Sequence, residues 1–433
     1  MAQTLDRRTA SNIIHSLAQS GQPPKLGASF LNVGTESLLN SLRTDYLEQH
    51  LTAYEGSDGG GACKWIEADY GNGKTQFLRC TQEQAWDLNY VTAYVELSQD
   101  ECPLDRPERV YGAVARSIQA KPLTASDVDR GRGLDFALQQ LLDRMFPGVL
   151  SGVPSADVRA QAIAWVETTL ASTPVESTSF ARAASQHLLG RLKGDDTVSR
   201  VAALYLRGEP VPMADLKILS IHEKLDKASG FRLLRSMCQL LQRSGLATGT
   251  ALMFDEARRS LSLMSTKAQK IACENLLTVI NKCNSGDLPG TLFLYAVMPE
   301  FFTDFATAYP ALQQRCGMST RIKLNNIKNL KELDLLRMIG LKIIEVFRVA
   351  FDDLPVDDAV LERNLQIVAE QVLRRTMGTG TRRLMVKSWV QLLQGVRENG
   401  LEPMSSQDVD QLMEGAKQEI EAADAVAIDD KGE

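Results

Sequence analysis

The feature that most constrains this chain is a glycine-rich segment at residues 68–75, which reads Ala-Asp-Tyr-Gly-Asn-Gly-Lys-Thr. It directly follows the apolar stretch 63–66, and a helical pattern begins at Thr75. Glycines allow such a loop to curl so that backbone N–H groups point inward at phosphate oxygens. The helix that follows adds unpaired N–H groups and the positive end of its dipole. The order strand, loop, helix therefore predicts a phosphate-binding loop.

Each residue of this loop has an expected role. Lys74 is expected to reach the β- and γ-phosphates, and the hydroxyl of Thr75 is expected to hold Mg²⁺. The usual pattern begins with a glycine where this chain has Ala68, and alanine fits there if the backbone needs no positive φ. The alternative is a glycine turn before a surface helix. The residues predicted to bind the nucleotide here are Ala68, Gly71, Asn72, Gly73, Lys74, Thr75 and Gln76.

A second motif lies at residues 250–256, where an apolar run ends in two carboxylates. Buried strands of a parallel sheet are apolar throughout and carry functional residues at their carboxyl ends. Asp255 is predicted to hold Mg²⁺ through water, and Glu256 is predicted to orient or deprotonate the attacking water. The alternative is a strand that ends in a solvated acidic turn. Together the two motifs predict an ATPase that uses ATP and Mg²⁺ and forms ADP and phosphate.

Composition narrows the function classes. The net charge of −6 gives no global basic field, so a DNA partner stays open but is not indicated by charge. The seven cysteines form no CxxC pair and the four histidines are dispersed, which argues against a zinc site. Free thiols in an ATPase indicate a reducing cytoplasm. We find no apolar signal core and no run of eighteen apolar residues, so no membrane partner is expected.

The chain is predicted to be an α/β protein with a five-stranded parallel core, because helical patterns separate its strand-like segments. The predicted strands are 63–68, 91–97, 250–254, 291–297 and 320–324. The predicted regions are an N-terminal helical region (1–62), the core (63–327), a helical lid (328–400) and a C-terminal helix with an acidic tail (401–433).

Within the core, residues 118–221 show helical patterns and almost no strand signal, which predicts an all-helical insertion. His187 lies inside one of these patterns and is predicted to be a packing or surface residue rather than a ligand. Near the N-terminus, single helices are predicted over 7–20 and 36–51.

The chain resembles the AAA+ class of P-loop ATPases, nearest its initiator/STAND-like branch, and looks more closely like the ATP-binding proteins of BREX-type phage-defence operons. The resemblance spans residues 8–398. The motifs that carry it in the first part of the chain are R-x-x-x-x-I-I-x-x-L…G-x-P-P (8–24), F-x-x-V-G-x-E (30–36), Y-G-N-G-K-T (70–75) and V-x-L-S (95–98). Those that follow are M-F-D-E (253–256), M-P-E-F-F (298–302), Y-P-A-L-Q-Q-R (309–315) and G-T-R-R (380–383).

The resemblance implies roles for arginines outside the two motifs. Arg382 opens a lid helix, as the sensor-2 arginine of AAA+ proteins does, and would reach the γ-phosphate; Arg383 is the alternative. Arg315 stands near the place of an arginine finger, which enters the site of a neighbouring subunit in a homo-oligomer. Arg321 is its runner-up. The alternative for Arg315 is a helix C-terminal arginine favoured by the dipole.

Two departures from the family pattern bear on hydrolysis. The polar residue expected at the end of the fourth strand is replaced by Met298, and Tyr295 is the nearest polar side chain. With Ala68 in the loop, this favours slow hydrolysis or a structural role for ATP. The resemblance implies an ATP-dependent switch that works with other proteins of a bacterial antiviral system. The alternatives are an initiator-type ATPase that loads or remodels DNA, and a scaffold that binds nucleotide without hydrolysing it.

Overall fold

One five-stranded parallel sheet, accompanied by many helices, gives the chain an α/β architecture. The structure is a computed structural model that describes residues 4–54, 57–122, 127, 131–256, 264–324, 330–351, 357–376, 380–399 and 404–429. The strands are β1 (Gly61–Glu67), β2 (Tyr90–Glu96), β3 (Gly249–Asp255), β4 (Thr291–Val297) and β5 (Arg321–Lys323). All five predicted strands are confirmed, with ends that shift by two residues or fewer.

The order of the strands in the sheet is β2-β3-β4-β1-β5. Strand β1 therefore lies between two strands that come much later in the chain. The pairs β2–β3 and β3–β4 are parallel, and their register sets Glu96 opposite Asp255. Every residue of β3 and β4 is buried. Uninterrupted burial is typical of central strands in a parallel sheet, which explains why both segments are apolar along their whole length.

The helices before β3 are α1 (Arg7–Ser20), α2 (Glu36–Ser41), α3 (Lys74–Asp87), α4 (Pro107–Ser117), α5 (Leu134–Met145), α6 (Ala156–Trp165), α7 (Thr178–Lys193), α8 (Asp196–Leu206), α9 (Met213–Ile218) and α10 (Gly230–Arg243). Those after β3 are α11 (Thr266–Asn284), α12 (Pro310–Arg315), α13 (Glu332–Ala350), α14 (Asp358–Thr376), α15 (Thr381–Asn399) and α16 (Ser406–Asp429). There are also π-helical segments at Leu42–His50, Val166–Leu170 and Phe301–Phe305, and 3₁₀ turns at Ala28–Leu31, Ala306–Ala308 and Met318–Thr320.

The helices predicted over 7–20 and 36–51 are confirmed in extent, but the second is not α-helical throughout. There α2 ends at Ser41 and a π-helical segment continues to His50. The carbonyl of Leu47 accepts the hydroxyl of Tyr90 at 2.7 Å. In an α-helix that carbonyl would accept the N–H of Leu51. This N–H instead donates to the carbonyl of Tyr46 at 3.0 Å, one residue further back, which widens the turn.

The insertion predicted over 118–221 is helical where the structure describes it, and contains α5 to α9. Its strand-like contact is an isolated bridge between Gln119 and Thr92 of β2. His187 is buried, with Nδ1 3.0 Å from the carbonyl oxygen of Ser199 and Nε2 3.0 Å from Nε2 of Gln139. Burial lowers the pKa of its imidazole. His187 therefore packs inside the insertion, as predicted; residues 123–126 and 128–130 lie outside the described residues.

The chain divides into two compact units. The sheet unit comprises Ser41–Trp65 and Gln84–Arg321. Its apolar core includes the aromatic side chains of Trp65, Phe254 and Phe293. The division at residues 62, 327 and 400 drawn from the sequence stays a prediction.

The helical unit comprises Met1–Asn40, Ile66–Glu83 and Ile322–Glu433, and it has its own core of helix-borne apolar residues. It also contains a buried lysine, Lys387 of α15, whose side chain is 2% exposed. Its ammonium donates to the carbonyls of Ala18 and Gln19 at the end of α1, and lies 2.6 Å from Oε2 of Glu419 in α16. The end of the predicted acidic tail, residues 430–433, lies outside the described residues.

No helix among the described residues combines the length and the apolar character that a membrane span requires.

Candidate functional site

The glycine-rich loop has the backbone geometry that its sequence predicts. Strand β1 ends at Glu67 and α3 begins at Lys74, so residues 68–73 form the loop between them. Gly71 and Gly73 have φ angles of +78° and +89°, in the left-handed region where glycine is favoured. Ala68 is fully buried and does not have a positive φ, which explains why alanine is tolerated there.

Lys74 turns its side chain back toward this loop. Its ammonium donates to the carbonyl of Ala68 at 2.7 Å and to that of Asp69 at 3.1 Å. The residue is only 7% exposed, so its charge is shielded from bulk water. Thr75, the second residue of α3, is half-buried in the first turn, where backbone N–H groups are not used within the helix. The loop thus places a cation and a helix N-terminus together.

The start of α15 packs closely against the loop within the helical unit. The N–H of Gly380 donates to the carbonyl of Tyr70 at 3.2 Å. A Cβ placed on Gly71 would lie 2.6 Å from Cα of Gly380, closer than atoms of real side chains approach. Glycine at position 71 is therefore required twice, by its φ and by this backbone neighbour.

The two candidate arginines of α15 face different partners. Arg382 Nη1 donates to the carbonyl of Asn72 in the loop at 2.7 Å, and its Nε lies 3.3 Å from Oε1 of Glu332. Arg383 donates to the carbonyl of Ser20 at 2.9 Å and to the Tyr70 hydroxyl at 3.1 Å. Arg382 is therefore directed at the tip of the loop, whereas Arg383 links the loop to the end of α1.

Gln76 contacts the N-terminal segment of the chain. Its amide donates to the carbonyl of Ala28 at 2.7 Å. Two turns further along α3, Glu83 accepts the N–H groups of Gly27, Ala28 and Ser29 at 2.5, 2.8 and 3.0 Å. Burial of the Glu83 carboxyl raises its pKa despite these bonds. The sequence analysis missed this clamp, although polar residues seven positions apart on one helix face were its available signal.

The carboxyl end of β3 holds two buried carboxylates in the sheet unit. Asp255 and Glu256 are only 4% and 6% exposed. Asp255 Oδ2 accepts the hydroxyl of Tyr94 from β2, and the backbone carbonyl of Asp255 accepts the N–H of Leu97 at 2.8 Å. Burial of this degree excludes the alternative of a solvated acidic turn. The sequence analysis also missed Tyr94.

Glu256 is held by the neighbouring strand through main-chain groups. Its N–H donates to the carbonyl of Ala296 at 3.0 Å, and its Oε2 accepts the N–H of Met298 at 3.4 Å. The polar group that the end of β4 offers to Glu256 is thus a backbone N–H rather than a side chain. This contact fixes where the carboxylate lies even though Met298 carries no polar atom to do so.

Tyr295 does not lie at this end of the sheet as a polar side chain. Its ring stacks on Trp65 at 5.0 Å and on Phe254 at 4.8 Å between centroids. The side chain is buried in the apolar core, and burial raises the pKa of its hydroxyl far above the ordinary value. An aromatic residue packed in this way cannot orient an attacking water.

The two finger candidates also differ in their surroundings. Arg315 ends α12 and its side chain is exposed. Arg321 is half-buried, with its guanidinium 3.6 Å from the ring centroid of Phe302 and its Nε donating to the carbonyl of Cys316 at 2.8 Å. Arg321 is thus fixed within the sheet unit, whereas Arg315 is exposed to solvent.

The residues predicted to hold Mg²⁺ offer suitable donor atoms. The hydroxyl of Thr75 is a hard oxygen ligand of the kind that Mg²⁺ prefers, and the carboxylate of Asp255 is an acceptor for water bound to the ion. Asp255 is buried and accepts the hydroxyl of Tyr94, and a carboxylate has about four acceptor positions, so its chemistry is compatible with water bound to a cation. Nowhere in the described part of the chain do three His, Cys, Asp or Glu residues come together as a metal site.

Comparison with known proteins identifies the family. No curated protein matches the chain. A family model described as the BREX system ATP-binding protein BrxC/D matches residues 5–410, which is nearly the whole of the 433-residue chain. The chain therefore belongs to the family of BREX system ATP-binding proteins.

Proposed function

We propose that this protein is a magnesium-dependent ATPase of the AAA+ type that acts as a switch in phage defence. Its family supports ATP binding and a role in a BREX system. The observation that carries the proposal of hydrolysis is the burial of Asp255 and Glu256 at the end of β3. Burying two adjacent carboxylates is costly, and such groups are often found at functional sites.

The proposed chemistry is in-line attack of water on the γ-phosphate of ATP. Glu256 accepts a proton from the water while the water oxygen forms a bond to the γ-phosphorus. The bond from that phosphorus to the β,γ-bridging oxygen breaks, and ADP leaves with the electron pair. Lys74 stabilises negative charge on the phosphate oxygens. Thr75 and Asp255 would hold Mg²⁺, which supplies further charge neutralisation.

Two arginines complete the proposal. The guanidinium of Arg382 would move from the carbonyl of Asn72 to the γ-phosphate. This movement would couple the nucleotide state to the position of α15. Arg315 would act in trans on the site of a second copy, because its side chain is exposed while that of Arg321 is engaged within its own unit. A homo-oligomer and contacts with other defence-system proteins follow as expected partners.

The test compares wild-type protein with Lys74→Ala and Glu256→Gln. Phosphate release should fall to background in both variants, and nucleotide binding should fall only in Lys74→Ala. Retention of ATP by an assembled Glu256→Gln protein, seen by size-exclusion chromatography, would support the switch. An equal background rate in all three proteins would refute hydrolysis.

A second function, in which ATP is a structural ligand, is favoured by one observation. Tyr295 is packed among aromatic rings, so the described end of β4 offers no polar side chain for a water. ATP that raises the thermal midpoint without turnover would support this function. Hydrolysis stimulated by DNA and falling steeply with salt would instead favour the DNA-loading alternative.

A further inference from the structure

Tyr94 stands at a position on β2 from which its ring can reach the end of β3. In the parallel register of the two strands, Tyr94 lies opposite Met253 and Glu96 lies opposite Asp255. Tyr94 is therefore two residues before the partner of Asp255, and the alternation of side chains places them on one face. Diagonal neighbours of this kind are within reach of an aromatic side chain.

The contact itself is a hydrogen bond from the Tyr94 hydroxyl to Oδ2 of Asp255. A phenol that donates to a carboxylate forms a charge-assisted bond, which is about twice as strong as one between neutral groups. The backbone of Asp255 is fixed as well, because its carbonyl accepts the N–H of Leu97 at 2.8 Å. Main chain and carboxylate of this aspartate are thus each held by a neighbour on the β2 side.

A carboxylate has about four lone-pair positions, so a bond to one oxygen leaves acceptor capacity for other ligands. Tyr94 and Glu96 are half-buried, while the other residues of β2 are buried. Phenylalanine at position 94 would provide the same ring for packing. The tyrosine hydroxyl additionally places a polar group beside the buried carboxylate of Asp255. The hydroxyl is therefore explained by its acceptor.

We propose that Tyr94 is the positioning residue of the magnesium site, holding the Asp255 carboxylate in the orientation that binds the ion. This inference rests on the proposed function, because it assigns Asp255 to Mg²⁺. Partners that orient a metal ligand in this way usually matter for affinity, and their loss costs roughly 10–100-fold in metal affinity.

The test is Tyr94→Phe, which removes one oxygen and keeps the ring. Binding of a fluorescent ATP analogue is titrated with Mg²⁺ and, separately, measured in excess chelator. We expect the half-saturating Mg²⁺ concentration to rise about 10–100-fold, while affinity in chelator stays that of wild type. A purely structural role would change both measurements together or neither.

Tyr90→Phe is the matched control on the same strand. Like Tyr94→Phe, it removes a phenol hydroxyl that donates a hydrogen bond, in this case to the carbonyl of Leu47 at 2.7 Å. It is expected to lower the thermal midpoint without changing the Mg²⁺ requirement. Should Tyr94→Phe fail to fold, 4-fluorophenylalanine at position 94 is the second variant, because its small substituent fills part of the space of the hydroxyl and cannot donate a hydrogen bond.

Asp255→Asn distinguishes a failure of the proposed Mg²⁺ site from a failure of the positioning role of Tyr94. If it leaves the Mg²⁺ requirement unchanged, Asp255 does not bind the ion and that part of the proposed function fails. If Asp255→Asn raises the requirement but both Tyr94 variants bind Mg²⁺ like wild type, the positioning role is overturned and the proposed function stands.

Discussion

Gly71→Ala tests the packing of the phosphate loop against α15. An alanine there must adopt a φ near +78° and must also place its Cβ 2.6 Å from Cα of Gly380. The atom it meets belongs to the backbone, so a side chain cannot rotate away to relieve the contact. Gly194→Ala is the matched control, because Gly194 has a φ of +77° and nothing within 4 Å of its added Cβ.

The two substitutions should differ in destabilisation by the free-energy cost of the contact between the added Cβ at position 71 and the backbone of Gly380. Left-handed backbone costs a residue with a Cβ about 1–2 kcal/mol, which is the whole expected effect at Gly194. At Gly71 the forced shift of packed groups adds about 1–3 kcal/mol, as overpacking does elsewhere. The local free energy of opening should therefore fall by roughly 2–5 kcal/mol at the loop and by about 1–2 kcal/mol at the control.

Hydrogen exchange followed by mass spectrometry measures these local openings. Peptides covering 66–83 and 380–399 report on Gly71→Ala, and a peptide covering 178–195 reports on Gly194→Ala. The loop peptides should exchange at least about 30-fold faster than in wild type, since 2 kcal/mol corresponds to that ratio. Equal acceleration by the two substitutions would refute the close approach of Gly71 to Gly380.

Three further predictions concern other buried groups. Burial raises the folded-state pKa of Glu83 above its ordinary value of 4.5, so its contribution to stability is full below pH 4.5 and is lost as the pH rises through the folded-state pKa. Thermal midpoints of Glu83→Gln measured across this range should lack that loss, and an unchanged pH profile would contradict it. Burial lowers the folded-state pKa of His187 below 6.5, so the insertion should lose stability as the pH falls through 6.5, and His187→Gln should remove this dependence in exchange measurements of α7 and α8. Tyr295→Phe should leave the rate of phosphate release within about twofold of wild type, because phenylalanine keeps the ring that packs in the apolar core and removes only a buried hydroxyl; a much larger loss would show that the Tyr295 hydroxyl takes part in hydrolysis.

The strands and the loop could be predicted because their signals are local. Strand β4 is buried along its whole length and is observed at the predicted bounds. The glycines of the loop indicate that its backbone adopts positive φ angles. The identity of the two carboxylates after β3 was likewise readable from one short segment. The segment could not reveal that both side chains are buried, which argues against a solvated acidic turn.

Contacts between distant parts of the chain could not be predicted. Tyr94 and Asp255 are 161 residues apart, and Glu83 lies 54 to 56 residues from the amides that it accepts. The partners of Arg382 and Arg383 also needed the structure, because adjacent residues on a helix point in directions about 100° apart. A pattern of residue types predicts that such a helix exists without fixing which side chain faces the loop.

The pairing of Lys387 with Glu419 bears on how shortened forms of this protein would behave. A protein truncated after residue 400 would lack Glu419. The buried ammonium of Lys387 would then keep its two backbone carbonyl partners but have no counter-ion. The side chain of Glu419 is 56% exposed, so solvent screens this pair, and its loss should cost less than the roughly 3–5 kcal/mol typical of a fully buried ion pair. Truncation would also remove the buried side chains of Val409, Met413 and Ala416, so a loss of stability in such a protein has causes that do not involve the nucleotide site.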